Sequence, residues 1–226
     1  MWPGMSKQDE PYQTFDGAIK ACEQSLKSLQ LDEIDLYLIH NPFAKDNRLE
    51  LWEAMVELKK QGKVKYVGVS NYNVHHIQEI EESGIEMPSA NQIEIHPWHV
   101  IPTELAQYMD KHEILPIAYS TLAPIPNWRE GSRWNGKPED MKSGSMPCQD
   151  IADNYNVTVP QLFLKWAIQL GYPVLPKSVK YDRLKENLEL NHFEISREDI
   201  KKISKIAKDN QKCLAWSGDF DPLEVE

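Results

Sequence analysis

The chain has 226 residues, 41% hydrophobic and 27% charged, a composition that supports a globular core and argues against disorder. Twenty-five Lys and Arg against 35 Asp and Glu leave a formal charge of −10, which excludes nucleic acid and anionic membrane faces as general partners. Any phosphate bound here must meet a local positive site.

Along the chain, short β-branched runs alternate with amphipathic stretches. Residues 13 to 30, "QTFDGAIKACEQSLKSLQ", predict a helix that leads into a first strand, "DLYLIH" at 35 to 40. In "RLELWEAMVELKKQG", Leu51, Met55 and Leu58 recur at helical spacing, with Gly62 placed to end the helix. Strands "VKYVGVS" (64 to 70), "ANQIEI" (90 to 95), "LPIAYS" (115 to 120) and "PVLPKS" (173 to 178) follow. Between them lie the helical patterns "NVHHIQEIEESG", "PTELAQYMDKHE", and the pair "MPCQDIADNYN" and "VPQLFLKWAIQLG". Residues 121 to 145, rich in Pro, Gly and Trp, are too long for an ordinary connection and predict a binding loop. "SREDIKKISKIAKD" predicts a helix with a capping box of Ser196 and Asp199, and the tail from 210 to 226 has no periodicity.

Strict β-α alternation implies a parallel sheet with right-handed crossovers. A doubly wound dinucleotide fold would show G-x-G-x-x-G after its first strand, and the sequence has none. A (β/α)8 barrel instead collects its site from the C-terminal ends of many strands. The strand ends here fit that pattern, closing in His40, in Ser70 with Asn71, in Ser120, and in Lys177 with Ser178. The three cysteines, Cys22, Cys148 and Cys213, lack metal spacing, which points to free thiols in a reducing cytoplasm. The start "MWPGMSKQDEPY" reads as no leader, and no apolar run nears the ~18 residues of a membrane span.

"DLYLIHNP", "GVSNYN", "NQIEIHP", "AYSTL" and "PKSVKYDRLKEN", in this order from Asp35 to Asn187, resemble the aldo-keto reductase family of nicotinamide-dependent carbonyl reductases. The resemblance implies a (β/α)8 barrel, bound NADP(H), and reduction of an aldehyde or ketone to an alcohol by hydride transfer. An ammonium and a hydroxyl past a strand end can hold a phosphate, and a guanidinium can stack on a base. The resemblance makes this the adenosine 2′-phosphate on Lys177 and Ser178, with Arg183, Glu186 and Asn187 around the adenine. It also implies that Ser70, Asn71 and Gln92 clasp the nicotinamide carboxamide, whose acceptor and donors call for a hydroxyl and amides. Tyr119 would stack on the nicotinamide ring, with Ser120 and Leu122 near the pyrophosphate and Thr121 where the family often has Pro. His40 would orient and polarise the substrate carbonyl. Trp2, Asn41 and Trp98 are expected in the substrate pocket, and Trp128 and Trp134 as further apolar walls.

The family's remaining catalytic residues, an aspartate, a tyrosine and a lysine, belong to the barrel's first three strands. Aligned on the family, "MWP" falls just after the lysine, and Tyr12, Tyr37, Lys7 and Lys20 match no such motif. The expectation is therefore a partial barrel lacking its first three strands, a single incomplete domain over 1 to 226 that is catalytically impaired alone. A non-catalytic NADP-binding sensor or scaffold is the alternative. His96 and His99 with Glu94 straddle a proline turn, so no metal site is expected.

Overall fold

A computed structural model describes residues 13–123, 125, 146–216 and 221–225, with the backbone alone for 207–210. Trp2, Tyr12, Lys7, Trp128 and Trp134 lie outside the described residues, as does most of the 121–145 loop. Four of the expected strands form β1 (Ile34–Ile39), β2 (Val64–Ser70), β3 (Ala90–Glu94) and β4 (Leu115–Tyr119), neighbours in that order. The β1/β2 and β2/β3 pairs are parallel, with Ile39 opposite Val69 and Ser70 opposite Gln92. The described residues fall into two compact units.

The first unit comprises Met1–Gln92, Thr103–Pro116 and Pro222–Glu226. Its helices are α1 (Phe15–Leu29), α2 (Arg48–Lys60), α3 (Val74–Ser83) and α4 (Thr103–Lys111). In α1, Thr14 caps the Gly17 N–H and Ala18, Cys22 and Leu26 form a buried stripe at a four-residue interval. In α2, Leu51, Met55 and Leu58 are fully buried as their spacing predicts, each burial stabilising by ~1.5–3 kcal/mol. The α2 helix ends in a Schellman motif: Gly62 (φ 70°) bonds back to Lys59 and the Lys63 N–H reaches the Leu58 carbonyl. The chain thus turns directly into β2. At Gly68 in that strand, a Cβ would stand 2.5 Å from the Ala90 carbonyl oxygen and 2.7 Å from Leu38 Cδ2, so the β1–β2–β3 spacing requires glycine. Capping α3 is a reciprocal box in which Asn73 Oδ1 accepts from the His76 N–H and His76 Nδ1 accepts from the Asn73 N–H.

The second unit comprises Ile93–Pro102 and Ile117–Asp221. It contains α5 (Gln149–Asn154), α6 (Val159–Gln169), α7 (Tyr181–Leu188) and α8 (Arg197–Asn210). Its core is built on α6, where Leu162, Phe163, Leu164, Trp166 and Ala167 are all fully buried. Thr158 and Gln161 close a capping box, and Gln161 Nε2 also donates to the carbonyls of Glu186 and Glu189, fixing the end of α7.

Two expectations are corrected. The run 173 to 178 is not a strand but a single parallel bridge, Ala118 with Val174. Pro173 has no N–H to extend the ladder along β4, and the pairing consists of two bonds, Ala118 N–H to the Pro173 carbonyl and Leu175 N–H to the Ala118 carbonyl. At α8, Ser196 Oγ does accept from the Asp199 N–H, but the reciprocal half of the box is absent. The Ser196 N–H instead donates to the Tyr155 hydroxyl, which itself donates to Asp199 Oδ2 at 2.6 Å.

Candidate cofactor site

In the first unit, the polar residues at the ends of β1, β2 and β3 form a connected cluster. Asn71 follows β2 in the left-handed region (φ 62°), a conformation its short amide side chain tolerates. There its N–H continues the ladder to the Gln92 carbonyl at 3.0 Å, and Nδ2 donates to the His40 carbonyl at 2.9 Å. Ser70 Oγ donates to the Gln92 carbonyl at 2.7 Å and accepts from Asn71 Nδ2 at 3.1 Å. Ser70 and Asn71 are buried while Gln92 is half-exposed. The Gln92 side-chain amide makes no hydrogen bond among the described residues.

His40 reaches the surface just after β1, yet desolvation by the surrounding protein holds its pKa below the ordinary value. A neutral ring at neutral pH keeps one N–H to donate. Next to it Asn41 is buried, its Oδ1 accepting from the Phe43 N–H at 3.1 Å and its Nδ2 without a partner among the described residues. Sequence reasoning missed Asn91, which is fully buried. Its Nδ2 donates to the Tyr72 carbonyl at 2.7 Å and so holds the turn that carries Asn71. The signal was present, since an amide inside an apolar strand needs a partner.

The second unit holds the rest. Tyr119 closes β4, with its hydroxyl accepting from Trp216 Nε1 at 2.8 Å, and burial with the nearby Glu94 charge holds its pKa well above the ordinary value. Ser120 adopts φ 55° and starts a turn closed by the Ala123 N–H; within it Thr121 is buried with its hydroxyl unpartnered, and Leu122 is half-exposed. Lys177 is exposed. Ser178 Oγ accepts from the Lys180 N–H at 3.1 Å, shaping the approach to α7. On α7, Arg183, Glu186 and Asn187 share one face at i, i+3 and i+4, from exposed Arg183 to buried Asn187. The N-cap, Lys180, provides no side-chain cap, and neither Lys177 nor Arg183 makes an ion pair among the described residues. Two cations beside an uncapped helix N-terminus suit an anion.

Trp98, expected in the substrate pocket, also lies in the second unit. It is 9% exposed and packs edge-on against Phe163 at 6.2 Å, which is a core contact. The nearby Glu94, fully buried, was legible only as a charge inside "IEI". It accepts from the N–H groups of Leu214 (2.6 Å) and Ala215 (2.9 Å) and pairs with His96 Nε2 at 2.8 Å. Burial opposes its charge, but His96, His99 and the Cys213 thiol outweigh that and hold its pKa below the ordinary value.

The first unit thus carries a polar cluster at the ends of a parallel sheet, and in the second Lys177 and Arg183 flank an uncapped helix start. The family model described as "Aldo/keto reductase family" matches residues 4–208, and the chain belongs to that family. It is 36% identical over 204 residues to the glyoxal reductase of Bacillus subtilis (strain 168), a match covering 90% of this chain and 67% of that protein. With the methylglyoxal reductase DkgA of Escherichia coli (strain K12) it shares 37% over 190 residues, 83% of this chain and 63% of the relative. The chain thus spans about two thirds of the length of these curated relatives. Among solved structures, the apo form of Gox0644 superposes with a TM-score of 0.76 at 30% identity, covering 95% of this chain and 72% of that one. A Bombyx mori aldo-keto reductase in complex with NADP gives 0.72 at 29%, covering 86% and 64%. The strand-helix alternation described above is that of part of a (β/α)8 barrel. No described helix is long and apolar enough to cross a membrane.

Proposed function

We propose that this chain acts, as the family does, in NADPH-dependent reduction of a small aldehyde or ketone, with dicarbonyls of the glyoxal and methylglyoxal kind as the substrate class. The observation that carries the reading is the start of α7, where Lys177 and Arg183, without an ion pair among the described residues, stand with Ser178 by an uncapped helix N-terminus. Lys177 and Ser178 bind the 2′-phosphate, Arg183 covers the adenine, and Glu186 and Asn187 line its edge. The Gln92 amide, held on a strand whose carbonyl anchors Ser70 and Asn71, takes the carboxamide. Tyr119 backs the nicotinamide ring, and Ser120 and Leu122 flank the pyrophosphate. When bound, NADPH supplies the hydride that turns a carbonyl into an alcohol. His40, kept neutral by desolvation, donates a hydrogen bond to the carbonyl oxygen and orients it beside Asn41.

A non-catalytic, NADP-binding role is the second reading, and one observation favours it. Tyrosine general acids need a lowered pKa, whereas Tyr37, Tyr72, Tyr108, Tyr119 and Tyr172 are all held above the ordinary value, first by desolvation. The two readings separate by experiment. NADPH fluorescence quenching reports binding, and NADPH oxidation with methylglyoxal reports turnover; quenching without turnover selects the second reading, and a folded chain that does neither removes both. We further propose that the two units act as one domain, since the backbone passes between them at residues 92/93, 102/103, 116/117 and 221/222. A single cooperative thermal transition tests this.

A further inference from the structure

Around the buried carboxylate of Glu94 the second unit gathers side chains that the carbonyl chemistry does not use. The geometry points to a zinc-type divalent cation site formed by His99 Nε2, Cys213 Sγ and an Asp221 carboxylate oxygen, which ties the C-terminal segment to the end of β3.

These three ligand atoms all lie within 4.8 Å of one another. Zinc bonds of ~2.0–2.3 Å in tetrahedral geometry set ligands roughly 3.3–3.7 Å apart, so closure needs only small side-chain adjustments. The donor types choose the metal. One imidazole, one thiolate and one carboxylate suit Zn2+ or Co2+, whereas Mg2+ and Ca2+ take oxygen ligands alone.

Two independent features prepare the set. His99 Nδ1 lies 2.8 Å from the Glu94 carbonyl oxygen, which can only accept, so Nδ1 carries one proton, and Nε2 donates a second to the Asp221 carboxylate 2.8 Å away. A ligating histidine needs that backbone hydrogen bond on its other nitrogen to fix ring and tautomer. Cys213, in turn, is held by its neighbours, because Glu94 accepts from the Leu214 and Ala215 N–H groups, while the bond from the Cys213 thiol to Glu94 at 3.0 Å is given up when Sγ turns to the metal. His99 is 1% exposed, while Cys213 and Asp221 are half-buried and open to solvent from one side. Binding exchanges one M2+ for the protons on His99 Nε2 and Cys213 Sγ, so the net charge of the cluster does not change. The ligands come from positions 99, 213 and 221, separations that no local motif announces.

The test is a Co2+ titration of the full, tag-free chain after chelator treatment. One equivalent should bind with d–d bands and a thiolate-to-cobalt charge-transfer band, and Zn2+ should bleach both. Cys213→Ser should lose the charge-transfer band and bind at least about tenfold more weakly, while Cys148→Ser keeps the band. On the unmutated chain, Zn2+ should slow iodoacetamide labelling of Cys213 by at least about tenfold, with labelling of Cys148 unchanged. Absence of the charge-transfer band in the unmutated chain, its persistence in Cys213→Ser, or no protection of Cys213 would each overturn the assignment.

Discussion

The side-chain amide of Asn71 donates to the backbone carbonyl of His40 at 2.9 Å, so the end of β2 fixes the backbone from which the His40 ring projects. Because Asn71 also sits at φ 62°, its removal has two separable costs. Asn71→Ala loses the amide donor and places alanine in the left-handed region, an expected destabilisation of about 2–4 kcal/mol. Asn71→Gly loses only the two side-chain hydrogen bonds, to the His40 carbonyl and to Ser70 Oγ, and should be about 1 kcal/mol less harmful. Urea midpoints for the two variants measure the difference, and equal midpoints would mean that the backbone carries no strain there.

Gly68→Ala tests the sheet directly. Its Cβ would meet the tip of the Leu38 side chain and, at 2.5 Å, the Ala90 backbone carbonyl, which cannot yield without moving β3. Overpacking of this kind costs about 1–3 kcal/mol. The urea midpoint should fall with an unchanged slope, whereas Gly62→Ala, which meets open space, should show only the smaller cost of an alanine at φ 70°.

His76 gives the fold a pH dependence. Desolvation, then the Arg48 charge, lowers its pKa to about 4 from the ordinary 6.5, and its Nδ1 must stay unprotonated to accept from Asn73. The unfolded chain therefore binds the proton first. Stability is fully present above about pH 6.5 and is lost as pH falls through 4, by roughly 3–3.5 kcal/mol in all. His76→Gln keeps an acceptor for the capping box and should flatten that part of the stability profile. An unaltered slope in the variant would show that the ring does not titrate in this window.

Much of this architecture was legible because it rests on local chemistry. Leu51, Met55 and Leu58 at helical spacing with Gly62 beyond them gave α2 nearly to the residue, and the β-branched runs gave β1 to β4. The bridge at Val174 was overread, because the apolar pattern of "PVL" outweighed the missing N–H group of its proline. At the site, Ser70, Asn71 and Gln92 were identified individually. Their hydrogen bonds to one another's backbone were not, since register decides them. Trp98 looked like a pocket wall in a loop, and only packing against Phe163 shows where its ring goes. Glu94 and its partners at 213 to 215 are separated by some 120 positions, and only the folded chain brings them together.

Lys177 and Arg183 should determine which cofactor binds. Losing a charge-assisted contact to a phosphate costs about 1.5–3 kcal/mol, or roughly 10- to 150-fold in Kd. Lys177→Ala should weaken NADPH by that factor and leave NADH affinity as it was, measured by fluorescence quenching with both nucleotides. Equal losses for the two would place the lysine away from the 2′-phosphate.

The proposed function is tested most directly by asking whether the start of α7 binds NADPH. NADPH titrated into isotope-labelled chain and followed by NMR reads this through the Nε–H of Arg183. The prediction is that this resonance shifts along one saturation curve with one equivalent of NADPH, and that Lys177→Ala moves the curve to higher NADPH concentration. An Arg183 resonance that stays in place while NADPH fluorescence is quenched would contradict it.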